Sequence, residues 1–266
     1  MLKAIPLVLL LVSGCGSRIA PDDPGRAAPQ AAAPAAAQPV TIDEKGDLLD
    51  FHFALPSEVS AIPKLATALR AKATAHKAEL LKGAAEDKAY RAKNDFPFHG
   101  YEYSTHFAVQ GDTPRLLSLE QKWFEDTGGA HPMHGTAALL WDRSAGREIA
   151  FTDLFTGGPA ALARLFEDSY CSGLDKARAE KRGPSQPEAI PGAGDPFSQC
   201  PKFADLALIP SGKPGQPMNR VTIHADPYVA GPYSEGDYDV ALPVTEAVIA
   251  ALKPAYRSSF EAQRPQ

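Results

Sequence analysis

Between Leu49 and Leu55 the chain reads Leu-Asp-Phe-His-Phe-Ala-Leu, an apolar/other alternation of period two that predicts a half-buried strand. The pattern changes after Ser57. As far as Lys93 the chain is rich in Ala, Lys, Glu and Leu, and Leu65, Leu69, Leu80 and Leu81 form a helical stripe. Pro63 suits a first helical turn and Gly83 is a candidate break, so one long helix or two successive ones are expected. Alternation then returns. Tyr101, Tyr103, Thr105, Phe107 and Val109 share one parity, with Glu102, Ser104 and His106 on the other. Gly111-Asp112-Thr113-Pro114 reads as a turn, Leu116 to Phe124 as a second strand, and Thr127-Gly128-Gly129-Ala130-His131-Pro132 as another turn. Thr136 to Trp141 is a third strand, closed by Asp142-Arg143-Ser144-Ala145-Gly146 and continued by Ile149 and Phe151, which makes an antiparallel meander.

The second half is spaced differently. Leu162, Leu165, Phe166 and Tyr170 mark one face of a helix from about Ala160 to Lys181. A Pro/Gly-rich loop, Gly183 to Pro196, follows. Strands are expected at Phe203 to Ile209, Val221 to His224 and Tyr238 to Leu242, and Thr245 should cap a last helix from Glu246 to Leu252. Helices set apart from antiparallel runs predict an α+β fold with packed helices on antiparallel sheets. No internal repeat is evident.

The N-terminus departs from all of this. Lys3, the apolar run Ile5 to Leu11 and the sequence Leu11-Val12-Ser13-Gly14-Cys15 have the charged, apolar and small-residue parts of a secretory signal. Its last residues resemble a bacterial lipobox, in which Cys15 is acylated and becomes the mature N-terminus. The apolar run is far shorter than the ~20 residues a spanning helix needs. Gly16, where Asp would retain a lipoprotein in the inner membrane, implies an outer-membrane lipoprotein facing the periplasm of a Gram-negative cell, or else a lipid anchor in the cell membrane. Residues 15–40 are an Ala/Pro-rich tether with Pro21, Pro24, Pro29, Pro34 and Pro39; such composition stays extended and cannot bury enough apolar surface to fold.

Charge and cysteine content narrow the function classes. Lys and Arg total 27 against 32 acids, a formal charge of −5, and no basic run occurs. That argues against nucleic acid, and leaves the N-terminal lipid as the sole expected membrane contact. With Cys15 reserved for lipid, Cys171 and Cys200 read as one disulfide in an oxidising compartment. The alternatives are two free thiols or half of a metal site, and no Cys-x-x-Cys spacing supports the latter.

Three stretches, taken in order, carry a family resemblance: Thr127-Gly128-Gly129-Ala130-His131; Ile149-Ala150-Phe151-Thr152-Asp153-Leu154-Phe155; and Tyr228-Val229-Ala230-Gly231-Pro232-Tyr233-Ser234-Glu235-Gly236, with Val240-Ala241-Leu242-Pro243 after it. They resemble the paired extracytoplasmic domains that accompany the peptidoglycan deacetylase PdaC and form the lysozyme-binding sensor of the anti-sigma factor RsiV. The resemblance covers about residues 45–255 and implies a PdaC-like subdomain at 41–150, an RsiV-like subdomain at 151–256 closely associated with it, and a tail at 257–266. In the deacetylases it implies chemistry in a separate domain bearing an Asp-Asp pair and a His-Ser/Thr-x-x-His metal motif. Here the only Asp-Asp pair is Asp22-Asp23, in the tether. The anti-sigma factors also carry a transmembrane helix and a cytoplasmic sigma-binding segment, so sigma-factor control is not expected.

His131-Pro-Met-His134 is the sharpest chemical candidate. Two imidazoles, with Asp112, Glu125 or Asp126 nearby, could hold zinc, which takes three protein ligands in a catalytic site. However, Pro132 after a Gly-Gly turn indicates loop or strand start, where the imidazoles need not converge, and the His-Glu-x-x-His arrangement is missing. The favoured reading is structural: Gly128 and Gly129 permit positive φ, and His131 bonds backbone to lock the turn. No Gly-x-Ser-x-Gly elbow occurs, no acid pair stands in an apolar context, and Cys171 could be a nucleophile only if unpaired. Tyr101, Tyr103, Trp123, Tyr228, Tyr233 and Tyr238 could stack on sugar rings or form a partner hot spot, although strand parity assigns most of them to core or rim.

The sequence thus predicts a lipid-anchored, non-catalytic envelope module without cofactor. Its expected ligand is a peptidoglycan fragment or a lysozyme-like protein, with Gly128, Gly129, His131, Tyr228 and Tyr233 as ligand contacts or turn residues. The alternatives are a metal-dependent glycan hydrolase or deacetylase using His131 and His134, and a structural lipoprotein of an envelope complex.

Overall fold

The computed structural model describes residues 37–183 and 197–263. The signal-like leader, Cys15, the tether as far as residue 36, most of the Pro/Gly-rich loop and the last three residues of the chain lie outside the described residues. The described residues belong to one compact unit. The α+β class holds: a six-stranded sheet and a three-stranded sheet carry two long helices.

The large sheet runs in chain order, β1 (Val40–Glu44), β2 (Leu49–Leu55), β3 (Tyr101–Asp112), β4 (Leu116–Asp126), β5 (Met133–Asp142) and β6 (Arg147–Ile149). All neighbours are antiparallel except β2 and β3, which pair in parallel from Leu49↔Tyr101 to Ala54↔His106. The expected antiparallel meander is β3 to β6, and the strand before the helices joins it in parallel. Between β2 and β3 the chain makes α1 (Ser57–Ser60) and α2 (Pro63–Lys93), and a helical crossover of that length is what a parallel pair requires.

Gly83 does not break α2. A Cβ there would stand 3.7 Å from the Tyr101 ring, an ordinary contact. The ~1 kcal/mol helix cost of glycine is small beside the burial of Leu65, Leu69, Leu80 and Ala84 on the sheet. Beneath them lie Phe51, Phe53, Phe107, Leu117, Leu119, Leu139 and Trp141, one face of the sheet. Leu116, Leu140 and Ile149 point to the opposite face, into a second core.

That second core is built by α3 (Gly158–Arg182), the sheet of β7 (Ala207–Ser211), β8 (Arg220–Ala225) and β9 (Tyr238–Pro243), and α4 (Glu246–Ala251). Ala161, Leu162, Phe166, Tyr170 and Leu174 give α3 its buried face. Cys171 on α3 is joined to Cys200 across the Pro/Gly-rich loop. Phe151 and Phe203, expected in strands, instead sit in 3-10 turns, Phe151–Leu154 and Phe203–Asp205. Both rings pack on the second core rather than on a sheet face. Thr245 caps α4, its hydroxyl accepting from the Val248 N–H.

Residues 257–263, expected as the start of a tail, are docked. Phe260 is buried, the Met218 and Ser259 backbones bond, and the Ser259 hydroxyl is 2.9 Å from that of Thr113. Among the described residues no helix is long and apolar enough to cross a membrane.

Candidate functional site

Two segments that lie far apart in the chain meet at one end of β5. The first is the turn between β4 and β5. Gly128 has φ +73°, and its N–H bonds the Asp126 carboxylate at 2.8 Å. Gly129 is not among the residues of positive φ, so one glycine alone provides the left-handed step. The last turn of α2 holds this turn from outside: Arg91 donates to the Gly128 carbonyl at 3.2 Å while its Nε pairs with Asp87 at 2.7 Å.

The second segment is the loop from Asp226 to Asp237, between β8 and β9. The C-terminal turns of α3 grip it. Buried Arg178 donates to the Ala230 carbonyl at 3.0 Å, Lys181 bonds the carbonyls of Glu235 and Asp237, and Arg182 pairs with the Glu235 carboxylate at 2.9 Å. Glu235 in turn accepts from the Tyr238 hydroxyl. Burial and this neighbouring carboxylate push the Tyr238 phenol up to about 12. Gly231 leaves room here, since a Cβ would crowd the Glu235 carboxylate and stand 2.8 Å from the Tyr238 ring.

Where the segments touch, His131, Tyr228 and Tyr233 form an aromatic shelf. The His131 ring stacks on Tyr233, centroids 3.8 Å apart at 22°, and lies 6.2 Å from Tyr228. Its Nδ1 donates to the Pro132 carbonyl at 2.9 Å, so in the neutral ring Nε2 accepts from the Tyr228 hydroxyl at 3.0 Å. The Tyr233 hydroxyl donates to the same carbonyl at 2.7 Å. His131 thus bonds backbone, as the structural reading of the turn expects, and it also faces two rings from the β8–β9 loop. Tyr228 is 49% exposed and has φ +70°, a left-handed backbone that costs an L-residue ~1–2 kcal/mol.

His134 faces elsewhere. Its Nε2 is 3.0 Å from the Asp237 carboxylate. Next to that pair is a group no sequence signal marked: His224 on β8, with Asp226 and Asp239. His224 is 4% exposed; its Nδ1 meets Asp239 at 2.8 Å and its Nε2 meets Asp226 at 3.0 Å. Burial by itself would lower the imidazole, but hydrogen bonds and charge from the two carboxylates override it and raise the group to about 9. His224 is therefore an imidazolium at neutral pH. The same pairing holds the Asp239 carboxyl below the usual range. Asp226 also takes the Thr136 backbone N–H at 2.7 Å, tying the loop to β5.

The metal alternative takes a different shape from the expected one. His131 and His134 do not share a ligand set, because each is engaged in a different direction. Asp112 pairs with Arg143, Glu125 with His76, and Asp126 with the Gly128 N–H. Among the described residues the group whose donor atoms come within 4.8 Å of one another is His224, Asp226 and Asp237. A cation there would compete with the proton that His224 shares with its two carboxylates. Of the six aromatic candidates, Tyr103 and Tyr238 are buried. Tyr101 and Trp123 pack on the first core. Only Tyr228 and Tyr233 join His131 on the surface. Sequence could have suggested neither Arg91 nor Arg178 as anchors, since a basic residue near a helix C-terminus is ordinary.

Residues 42–134 match the family model described as Deacetylase PdaC. The match starts at Ile42 within β1, spans β2 to β4 and His131, and stops at His134 at the start of β5, before the loop that carries Tyr228 and Tyr233. A solved DUF3298 family protein from Pseudomonas aeruginosa is 16% identical over 85% of this chain and 97% of its own, with a TM-score of 0.48. A member of the same family from Bacteroides fragilis is 17% identical over 82% of this chain and 93% of its own, with a TM-score of 0.51, and shares the fold. No curated protein matches the chain.

Proposed function

We propose that this chain, in which residues 42–134 form a PdaC-type domain, is a non-catalytic binding module of the cell envelope. Held by lipid on Cys15, it would contact a peptidoglycan fragment or a wall-active protein such as a lysozyme-type hydrolase. The surface we assign to that contact is the His131/Tyr228/Tyr233 shelf. One observation carries the reading: Tyr228 is kept in a left-handed backbone with its ring half exposed. Strain of that kind gathers where a side chain must be presented in a set direction. An exposed tyrosine beside a stacked His–Tyr pair offers rigid apolar faces with polar tips, suited to sugar rings or to a protein hot spot. The helix C-termini that grip both segments supply rigidity, so little ordering remains for the moment of binding.

The test is co-sedimentation of the purified chain with insoluble peptidoglycan, alongside capture on immobilised lysozyme. Binding in one arm that is lost in Tyr228→Ala, with a cooperative unfolding transition retained, supports the reading. Absence of binding in both arms, or binding indifferent to Tyr228, removes it.

A further inference from the structure

β5 has an open edge. It pairs with β4 from Met133 to Asp142, but with β6 only from Leu140 to Asp142. In an antiparallel ladder the backbone groups of successive residues turn alternately to the two sides. The Thr136 N–H turns away from β4 to reach Asp226, and Leu140, four residues on, pairs outward with Ile149. Ala138 lies between them on the same parity. Its N–H and C=O therefore point off the edge, and no described residue pairs with them.

β7 is an edge strand as well, and it packs against β5. Pro210 has no N–H and must occupy an outward position in such a strand. The Ser211 carbonyl turns inward, taking the Asn219 N–H at 3.0 Å. Leu208, two residues before Pro210, consequently points its own N–H and C=O outward. Residues 136–138 and 204–208 line one cavity of about 910 Å³, floored by Leu140, Ile149, Phe151 and Leu162. Asp153 and Asp205 are exposed at its rim, and neither carboxylate forms an ion pair with a described residue. Lys253 near Asp153 is committed to the backbone carbonyl of that residue at 2.7 Å. Of the cationic side chains in the lining, Arg147 donates to the Glu148 carbonyl at 3.2 Å and the His224 imidazolium is taken up by Asp226 and Asp239.

We propose that this slot takes an extended, basic peptide segment of a partner protein, added as a further strand on the open edge of β5. Main-chain bonds to Ala138 would supply affinity, and alternate side chains would enter the apolar floor, as strand addition generally works. Basic residues on the segment would meet Asp153 and Asp205, whose charge steers association. The slot does not include the His131/Tyr228/Tyr233 shelf, and the inference stands apart from the proposed function.

The experiment is fluorescence anisotropy of the full chain with a short labelled peptide of alternating valine and lysine. Its controls are the same peptide with alternate backbone nitrogens methylated and one with glutamate for lysine. Ala138→Pro removes an N–H that has no partner in the protein, so the fold should survive. The lysine peptide should bind, and methylation, glutamate replacement and Ala138→Pro should each weaken it about tenfold or more, since two main-chain bonds or the charge pairing are lost. Tyr228→Ala should leave this binding unchanged, which separates it from the shelf. Failure of the lysine peptide to bind at millimolar concentration overturns the proposal, as does equal binding of the methylated peptide. So does a concentration-dependent dimer abolished by Ala138→Pro, which would make a second copy the occupant. If Ala138→Pro does not fold, the methylated peptide decides alone.

Discussion

His131 and Tyr228, 97 residues apart in the chain, share a 3.0 Å hydrogen bond between the β4–β5 turn and the β8–β9 loop. The bond has a direction. His131 Nδ1 already donates to Pro132, so a ring that carries its proton on Nδ1 alone accepts from the tyrosine hydroxyl at Nε2. Tyr233 closes the arrangement from below, stacking on His131 and bonding the Pro132 carbonyl.

That layering makes Tyr233 the structural member of the shelf. Tyr233→Phe should cost about 1 kcal/mol, the net worth of one hydrogen bond. Tyr233→Ala should cost about 2–3 kcal/mol, because the stacked face of His131 is lost as well. Urea unfolding monitored by circular dichroism would rank the two; equal stabilities would mean that the ring contributes nothing.

Tyr228 should behave differently. Its φ of +70° is easy for glycine and strained for alanine, so Tyr228→Gly should be more stable than Tyr228→Ala by about 1 kcal/mol. Both variants should lose ligand binding. Melting temperatures in the reverse order would show that the left-handed conformation is not held in solution.

The His224 imidazole sits at about 9 when folded against an unfolded value of about 6.5. Its pairing therefore stabilises the fold fully below about pH 6.5, and that contribution, on the order of 3 kcal/mol, is lost as pH rises through 9. The Asp239 carboxyl is shifted down, so its share is present above the ordinary carboxylate range and lost on acidification. Unfolding midpoints measured across pH should fall on the alkaline side. His224→Gln should flatten that limb, and an unchanged limb would mean that the imidazolium is not formed.

Cys171 and Cys200 enclose a loop through a sequence separation of 29. Reducing the bridge should lower stability by ~3–4 kcal/mol in the chain-entropy model. Alkylation of the unfolded, unreduced protein should label neither cysteine, whereas full labelling of both would remove the bridge.

The proposed acylation of Cys15 is checked by Cys15→Ala, which should leave an unprocessed or soluble species, because a diacyl anchor holds a protein to membrane where a single chain scarcely does. Fractionation with palmitate labelling checks it. A variant that still follows the membrane, with no label on the parent, would contradict the anchor.

Much of the secondary structure was legible in the chain alone, because one side of each element is buried and the burial imposes a period. Alternation located β2, β3 and β4, and spaced leucines and aromatics located α2 and α3. β1 escaped because five residues with two apolar side chains, next to an Ala/Pro-rich stretch, carry too little period to register. The parallel pairing of β2 with β3 escaped for another reason: alternation tells which face a residue takes, not which strand lies alongside. The same limit governs the site. Sequence singled out His131, Tyr228 and Tyr233 in separate stretches and could bring His131 to His134 only by proximity. The tertiary structure turned those two histidines apart and set His131 under Tyr228. It also paired His224 with Asp239 through the register of β8 on β9. Contacts between distant segments depend on register and helix crossing, and those are decided by how complementary surfaces pack once each element has formed.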